Sequence, residues 1–253
     1  MPLRADAGLW WNLPGVVAAY QPVRAPGPLL ARYNMAHGGD NRYRAEPGAA
    51  APTFGARGWL FGGAATTQIL STGIFPDGNH SAIIQFSGIA GATEPIFGCS
   101  DGGNNRFYIY PNRLNNAVQF AYGMGHANAA AGTQLYTGSV GLAGSNGYSN
   151  GVLAAPNINT WIGGAGAVAM RLGGWTNGTT TLYCAATVQA FVVCSRRLCA
   201  AEMWTASRQM AYCDVNPDWS VWSRRRQWFY GPQVGGFQAA WARNANSVLQ
   251  VGR

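Results

Sequence analysis

Gly147-Tyr148-Ser149-Asn150-Gly151 matches G-x-S-x-G, in which a serine nucleophile sits on a strained turn between a strand and a helix. That chemistry needs an acid and then a histidine further along the chain, and the last histidine is His126. A strand-like run follows the pattern, so Ser149 reads as part of a hairpin. His37, His80 and His126 stand apart from one another and from acid clusters, and read as solvent-facing loop residues. Of the five cysteines, Cys99, Cys184, Cys194, Cys199 and Cys213, none has a histidine or second cysteine pair at zinc-ligand spacing. A Cys184–Cys194 bridge along one strand would have to span about 33 Å. The cysteines therefore read as small apolar fillers. The nine acids are Asp6, Asp40, Glu46, Asp77, Glu94, Asp101, Glu202, Asp214 and Asp218, and no two fall at i, i+2 or i+4 within a strand.

The elements around these residues are strands. Asn150-Gly151 lies between two strand-like runs and signals a hairpin, because both central residues of such a turn need positive φ. Val168 to Leu172 ends at Gly173-Gly174, and Asn177-Gly178 precedes the β-rich run from Thr179 to Val193. Earlier runs are Gly15 to Val23, Ser81 to Ser87, Glu94 to Gly98 with Arg106 to Tyr110, Ala117 to Tyr122 and Gly138 to Ala143. Trp59 to Phe61 and Gln68 to Leu70 read as a hairpin around Gly62-Gly63, and residues 24–52 as a long meandering loop. One helix is expected, about Ala200 to Tyr212, burying Met203, Ala206 and Met210. Cys199 to Glu202 has the spacing of a capping box, with Cys where Ser or Thr is usual. Strands at this cadence predict an all-β, two-sheet antiparallel sandwich.

Composition fits that class. Hydrophobic residues make up 48% of the 253 and charged residues only 10%, well below the quarter usual in soluble domains. No apolar run approaches the roughly 20 residues of a membrane span, and the N-terminus offers no apolar core for a secretion signal. The net charge of +8 comes entirely from arginine. Between Leu114 and Ser195 there is no acid and only Arg171, whereas residues 196–253 carry eight Arg against three acids. The segment after Cys213 is rich in Arg and Trp and lacks strand cadence. Three parts follow: an N-terminal arm (1–14), a sandwich (15–213) and a C-terminal arm (214–253).

With GVVAAYQP at 15–22, GWLFGGAATTQILSTG at 58–73, GYSNGV at 147–152, MRLGG at 170–174 and VQAFVVCSRRLCAAEM at 188–203, the chain resembles the concanavalin A-like lectin/glucanase superfamily, in its laminin-G-like branch. The closing R-x-L-S-x-x-E of that branch is matched by Arg197, Leu198 and Glu202, with Cys199 in place of Ser. The resemblance implies a jelly-roll sandwich over about residues 15–212. It also implies where to look for activity. The E-x-D-x-x-E motif of its glycanases is absent, so the expectation is a chain that is not an enzyme. A glycan site would use Tyr108, Tyr110, Asn112, Arg113, Trp175 and Asn177, which are equally ordinary strand aromatics and turn residues. A calcium site would draw on Asp101, Asn104 and Asn105, whose types turn chemistry explains better. No other cofactor is expected.

Asn216-Pro217 and Arg224-Arg225-Arg226 resemble the style of bacteriophage and prophage structural proteins. That implies a non-catalytic capsid decoration or tail-fibre component, made in the host cytoplasm and carried on the virion. Trp219, Trp222, Arg224, Arg225, Arg226, Trp228, Phe229, Tyr230 and Trp241 would contact neighbouring virion proteins or a second copy, since Trp, Tyr and Arg are enriched at interfaces. Host-surface glycans are further expected partners, whereas nucleic acid is not, for want of a recognised module. The alternative is a free extracellular lectin, and after it a glycoside hydrolase.

Overall fold

The structure, a computed structural model, describes residues 9–23, 25–36, 43–91, 93–102 and 104–212. The strands begin with β1 (Val16–Tyr20), β2 (Glu46–Pro47), β3 (Thr53–Gly55), β4 (Gly58–Gly62), β5 (Leu70–Ser71) and β6 (Ser81–Ser87). They continue with β7 (Phe97–Ser100), β8 (Arg106–Arg113), β9 (Ala117–Gly123), β10 (Gly125–Asn128), β11 (Thr137–Ala143) and β12 (Asn146–Ser149). The last are β13 (Val152–Ala155), β14 (Arg171–Leu172), β15 (Gly174–Thr176), β16 (Thr181–Tyr183) and β17 (Ala185–Cys194). Among the described residues there are two α-helices, a single turn α1 (Pro28–Ala31) and the 13-residue α2 (Ala200–Tyr212).

These strands make an antiparallel two-sheet sandwich, as the sequence predicts. One sheet runs β13-β12-β11-β6-β17-β4-β3, with β1 also paired to β17. The other runs β10-β9-β8-β7-β14-β5-β2, and β15-β16 form a separate hairpin. Alternation sends one set of side chains from each sheet into a shared core. From the first sheet come Tyr20, Trp59, Phe61, Ile84, Phe86, Leu142, Val188 and Phe191; from the second, Phe97, Phe107, Ile109, Val118, Phe120, Tyr122 and Leu172. A bulge in β17 between Val188 and Ala190 shifts the parity, so Val188 and Phe191, three apart, both point inward.

The outer face of the first sheet is covered by α2. Met203, Ala206 and Met210 are buried at helical spacing. Gly141 permits the close approach, since a Cβ there would lie 2.7 Å from the Met203 Cε atom. The Glu202 half of the capping box forms: the Cys199 N–H donates to Glu202 Oε2 at 2.9 Å, and Arg196 forks onto the same carboxylate at 2.9 and 2.5 Å. Arg196 first, and the Cys199 N–H with it, hold the Glu202 carboxyl down at about 2, against partial burial. A depressed carboxylate stabilises the fold above its unfolded value near 4.5, and that contribution is lost as pH falls toward 2. Glu202→Gln is expected to cost about 1 kcal/mol at neutral pH, because the pair faces solvent in part. The measurable sign is a variant whose deficit against the wild type shrinks between roughly pH 4.5 and 2 in denaturant titrations. A constant deficit across that range would exclude the linkage.

The first and last described elements meet beside this cap. Trp10 and Trp11 are buried, and the Trp10 N–H donates to the Gln209 side chain at 2.8 Å. The Ser195 N–H donates to the Gly15 carbonyl at 2.8 Å and Arg196 Nε to the Pro14 carbonyl at 2.7 Å.

Several expectations are corrected. Trp59–Phe61 and Gln68–Leu70 are not a hairpin: β4 pairs with β3 and β17, while β5 lies in the other sheet beside β2 and β14. The run from Thr179 splits at Cys184 into β16 and β17, and Asn177-Gly178 belongs to the turn of the β15–β16 hairpin. Residues 24–52 hold α1 and β2 as well as loop. Among the described residues no helix is long and apolar enough to cross a membrane.

Candidate glycan-binding cleft

While Phe107 and Ile109 of β8 face the core, Arg106, Tyr108 and Tyr110 face outward. Register sets their neighbours. Arg106 lies opposite Ser100 of β7, Tyr110 opposite Gln119 of β9, and Tyr108 opposite Ala121, which is itself opposite His126 of β10. A second bulge, between Tyr110 and Arg113, moves Arg113 into the outward place that strict alternation would give Asn112. Asn112 is buried, its Oδ1 has no hydrogen-bond partner, and it does not line the cleft described below.

The β15–β16 hairpin supplies a wall. The chain leaves β14 through Gly173 at φ 78°, where a Cβ would fall 2.1 Å from the Phe61 ring, so glycine is required for the crossing. Asn177 fixes the hairpin turn by accepting the Thr179 and Thr180 N–H groups at 3.0 and 2.6 Å. Trp175, thus placed, stacks on Tyr108 with ring centroids 5.3 Å apart and planes 12° from parallel, and its indole N–H donates to the Tyr110 hydroxyl at 2.9 Å. Tyr110 stands edge-on to Tyr108 at 5.5 Å, and the Arg113 guanidinium lies 4.3 Å from the Tyr110 ring centre.

A cleft of about 320 Å³ opens beside this cluster. Ser100, Arg106, Tyr108, Gln119 and His126 line it from the sheet, with Gly102 and Arg113 from the strand ends and Trp175 and Asn177 from the hairpin. Gln119 is positioned by donating to Asn128 at 2.9 Å, and Arg106 by donating to the Met124 carbonyl at 3.2 Å. Burial pushes the Tyr108 hydroxyl up, Tyr110 adds to this, and Arg106 and Arg113 oppose it, so Tyr108 stays a neutral donor at physiological pH. The arrangement offers an apolar surface edged by donors, suited to a ring whose faces are apolar and whose rim carries hydroxyls.

Of the residues singled out from sequence, Tyr108, Arg113, Trp175 and Asn177 thus line one cleft, and Tyr110 braces it from behind. Ser100, Arg106, Gln119 and His126 were not anticipated; only Arg106 had a local signal, standing two residues before Tyr108 on the same strand face. His126 is exposed on a strand and faces the cleft, not a loop, and His80 is largely buried and bonded to Asp77 at 2.8 Å. The Asp101, Asn104 and Asn105 group lies in the β7–β8 turn. Asp101 Oδ1 accepts the Asn104 and Asn105 N–H groups at 3.0 and 2.6 Å, and the Asn105 amide exchanges two bonds with the Ile162 backbone at 2.7 and 3.0 Å. Among the described residues no group of three or more His, Cys, Asp and Glu could hold a metal ion. Trp219, Trp222, Arg224, Arg225, Arg226, Trp228, Phe229, Tyr230 and Trp241, with His37 and Cys213, lie outside the described residues.

No family model matches the chain, and no curated protein matches it. Among solved structures it is similar to a Trypanosoma rangeli sialidase, seen as its covalent intermediate with 2,3-difluorosialic acid and in complex with sialic acid. Each shows a TM-score of 0.56 and 16% identity over 80% of this chain and 34% of the sialidase. It is also similar to domain 4 of AbnA, a GH43 extracellular arabinanase from Geobacillus stearothermophilus, in complex with arabinotriose. There the TM-score is 0.52 and identity 13%, over 76% of this chain and 98% of the domain. The chain therefore spans about a third of the sialidase's length and nearly all of the arabinanase domain. These neighbours overturn the expectation of a non-enzyme, because the sandwich is shared with sialidases. A missing E-x-D-x-x-E pair does not set this chain apart from catalysis. At such identities the likeness is one of fold alone: an antiparallel two-sheet β-sandwich.

Proposed function

We propose that this chain binds carbohydrate, and that the ligand seats in the cleft formed by β8, β9 and the β15–β16 hairpin. The observation that carries the reading is the Tyr108–Trp175–Tyr110 cluster edged by Arg106, Gln119 and Asn177 around one cleft of sugar-ring size. The structural neighbours support it, one being a sialidase in complex with sialic acid and the other an arabinanase domain in complex with arabinotriose. The test is a glycan array probed with the full chain, followed by titration calorimetry of the hits. Specific, saturable binding is the expected result; a blank array and flat titrations would end the proposal.

The laminin-G-like, virion-borne setting is a narrower proposal resting on the sequence resemblance and on the Arg/Trp segment after Cys213. Co-sedimentation with phage particles is its test, and a chain recovered wholly in the supernatant would remove it.

A further inference from the structure

Resting on that reading, we infer that the cleft selects acidic carbohydrate, a sugar bearing a carboxylate or sulfate group that Arg106 and Arg113 receive. The first ground is charge. Arg106, Arg113 and His126 line the cleft, and no aspartate or glutamate does. The acid nearest in sequence is Asp101, between the lining residues Ser100 and Gly102, and its Oδ1 is committed to two backbone N–H groups of the β7–β8 turn. Arg171 adds a third cation to the same outward sheet face. It lies opposite Gly98, which lies opposite Tyr108 on the other side, while its neighbour Leu172 points into the core. Further along that row Glu46 is already paired with Arg32 at 3.3 Å and Arg44 at 3.1 Å.

The second ground is that the cations are positioned but not neutralised. Neither Arg106 nor Arg113 has a carboxylate partner among the described residues. Arg106 donates to a carbonyl, and Arg113 lies on the face of Tyr110 with its buried Nε lacking any hydrogen-bond acceptor. A guanidinium held partly out of water without a counter-ion is costly, and an arriving oxyanion relieves that cost. The planar fork matches a carboxylate or sulfate edge in two parallel bonds, and both arginines are held before the ligand arrives, so little ordering entropy is spent. A neutral sugar would satisfy the aromatic wall and leave both guanidinium groups unpaired.

The experiment titrates the full chain with matched oligosaccharides: a galacturonan against a galactan of equal length, and a sulfated against an unsulfated galactan, each at low and high salt. The acidic member is expected to bind about tenfold or more tightly, with the preference shrinking as salt rises. Arg106→Gln and Arg113→Gln should each narrow the gap between the acidic and the neutral member and flatten its salt dependence, read as the ratio of the two affinities within one variant. The two acidic arms show whether carboxylate or sulfate is the group received. Equal binding of acidic and neutral members by the unmodified chain overturns this inference and leaves the carbohydrate reading standing. Binding of neither member overturns this inference, while the glycan array decides the carbohydrate reading separately. Because the comparison is made first on the wild type, a variant that fails to fold does not decide the result.

Discussion

Phe191→Ala is expected to lower the stability of the sandwich by about 3–5 kcal/mol, the largest effect of any single truncation considered. The reason is position. Phe191 is fully buried and stacks parallel on Tyr20 of its own sheet at 6.3 Å, while meeting Phe97 of the opposite sheet at 5.4 Å. Removing the ring therefore leaves a void between the two layers, and the walls of that void are strands fixed by their hydrogen-bonded ladders and unable to collapse inward. Thermal unfolding of the variant would read the change directly, as a drop in midpoint of about 6–20 °C for a domain of this size. A drop no larger than that of Leu60→Ala, whose side chain is half exposed, would mean the sheets do not meet at Phe191.

Trp175→Ala is expected to cut carbohydrate affinity by about tenfold or more while leaving the sandwich folded. The indole both covers one face of Tyr108 and ties down the Tyr110 hydroxyl, so its loss releases two residues at the cleft as well as removing a wall. Its partial exposure and its place on the two-stranded hairpin, outside both sheets, keep the cost to the fold small. Trp204→Ala is the matched control, since Trp204 is half exposed on α2, which covers the sheet opposite the one bearing the cleft. Titration of both variants with one glycan decides the matter. Equal affinities would place the site elsewhere.

What the sequence made legible was whatever short-range chemistry determines. Asn150 and Gly151 turn at φ 50° and 78°, as an Asn-Gly hairpin turn demands, and α2 begins at a capping box whose Glu202 half forms even with Cys199 as its first residue. What it concealed was pairing between distant segments. Gly62-Gly63 carries every local sign of a hairpin, yet Trp59 pairs with Val188, and nothing near either residue encodes the other. The cleft divides along the same line. Tyr108, Arg113 and Trp175 were visible as residue types suited to sugar. Ser100, Gln119 and His126 join them only through strand register, and Asn112 loses its place to Arg113 because one bulge residue reverses the parity of β8.

The bonds that join residues 10–15 to residues 195–209 make the described body a nearly closed ring of chain. A polypeptide that enters and leaves at one spot can be carried as a guest within a surface loop of another protein without stretching its host. For the same reason residues 9–212 can be circularly permuted, with the two ends of that body joined by a short Gly/Ser bridge and new ones cut in an exposed turn of the first sheet, such as Ala56-Arg57 between β3 and β4. The cleft lies on the outward face of the second sheet, so neither operation would disturb the surface that meets the sugar.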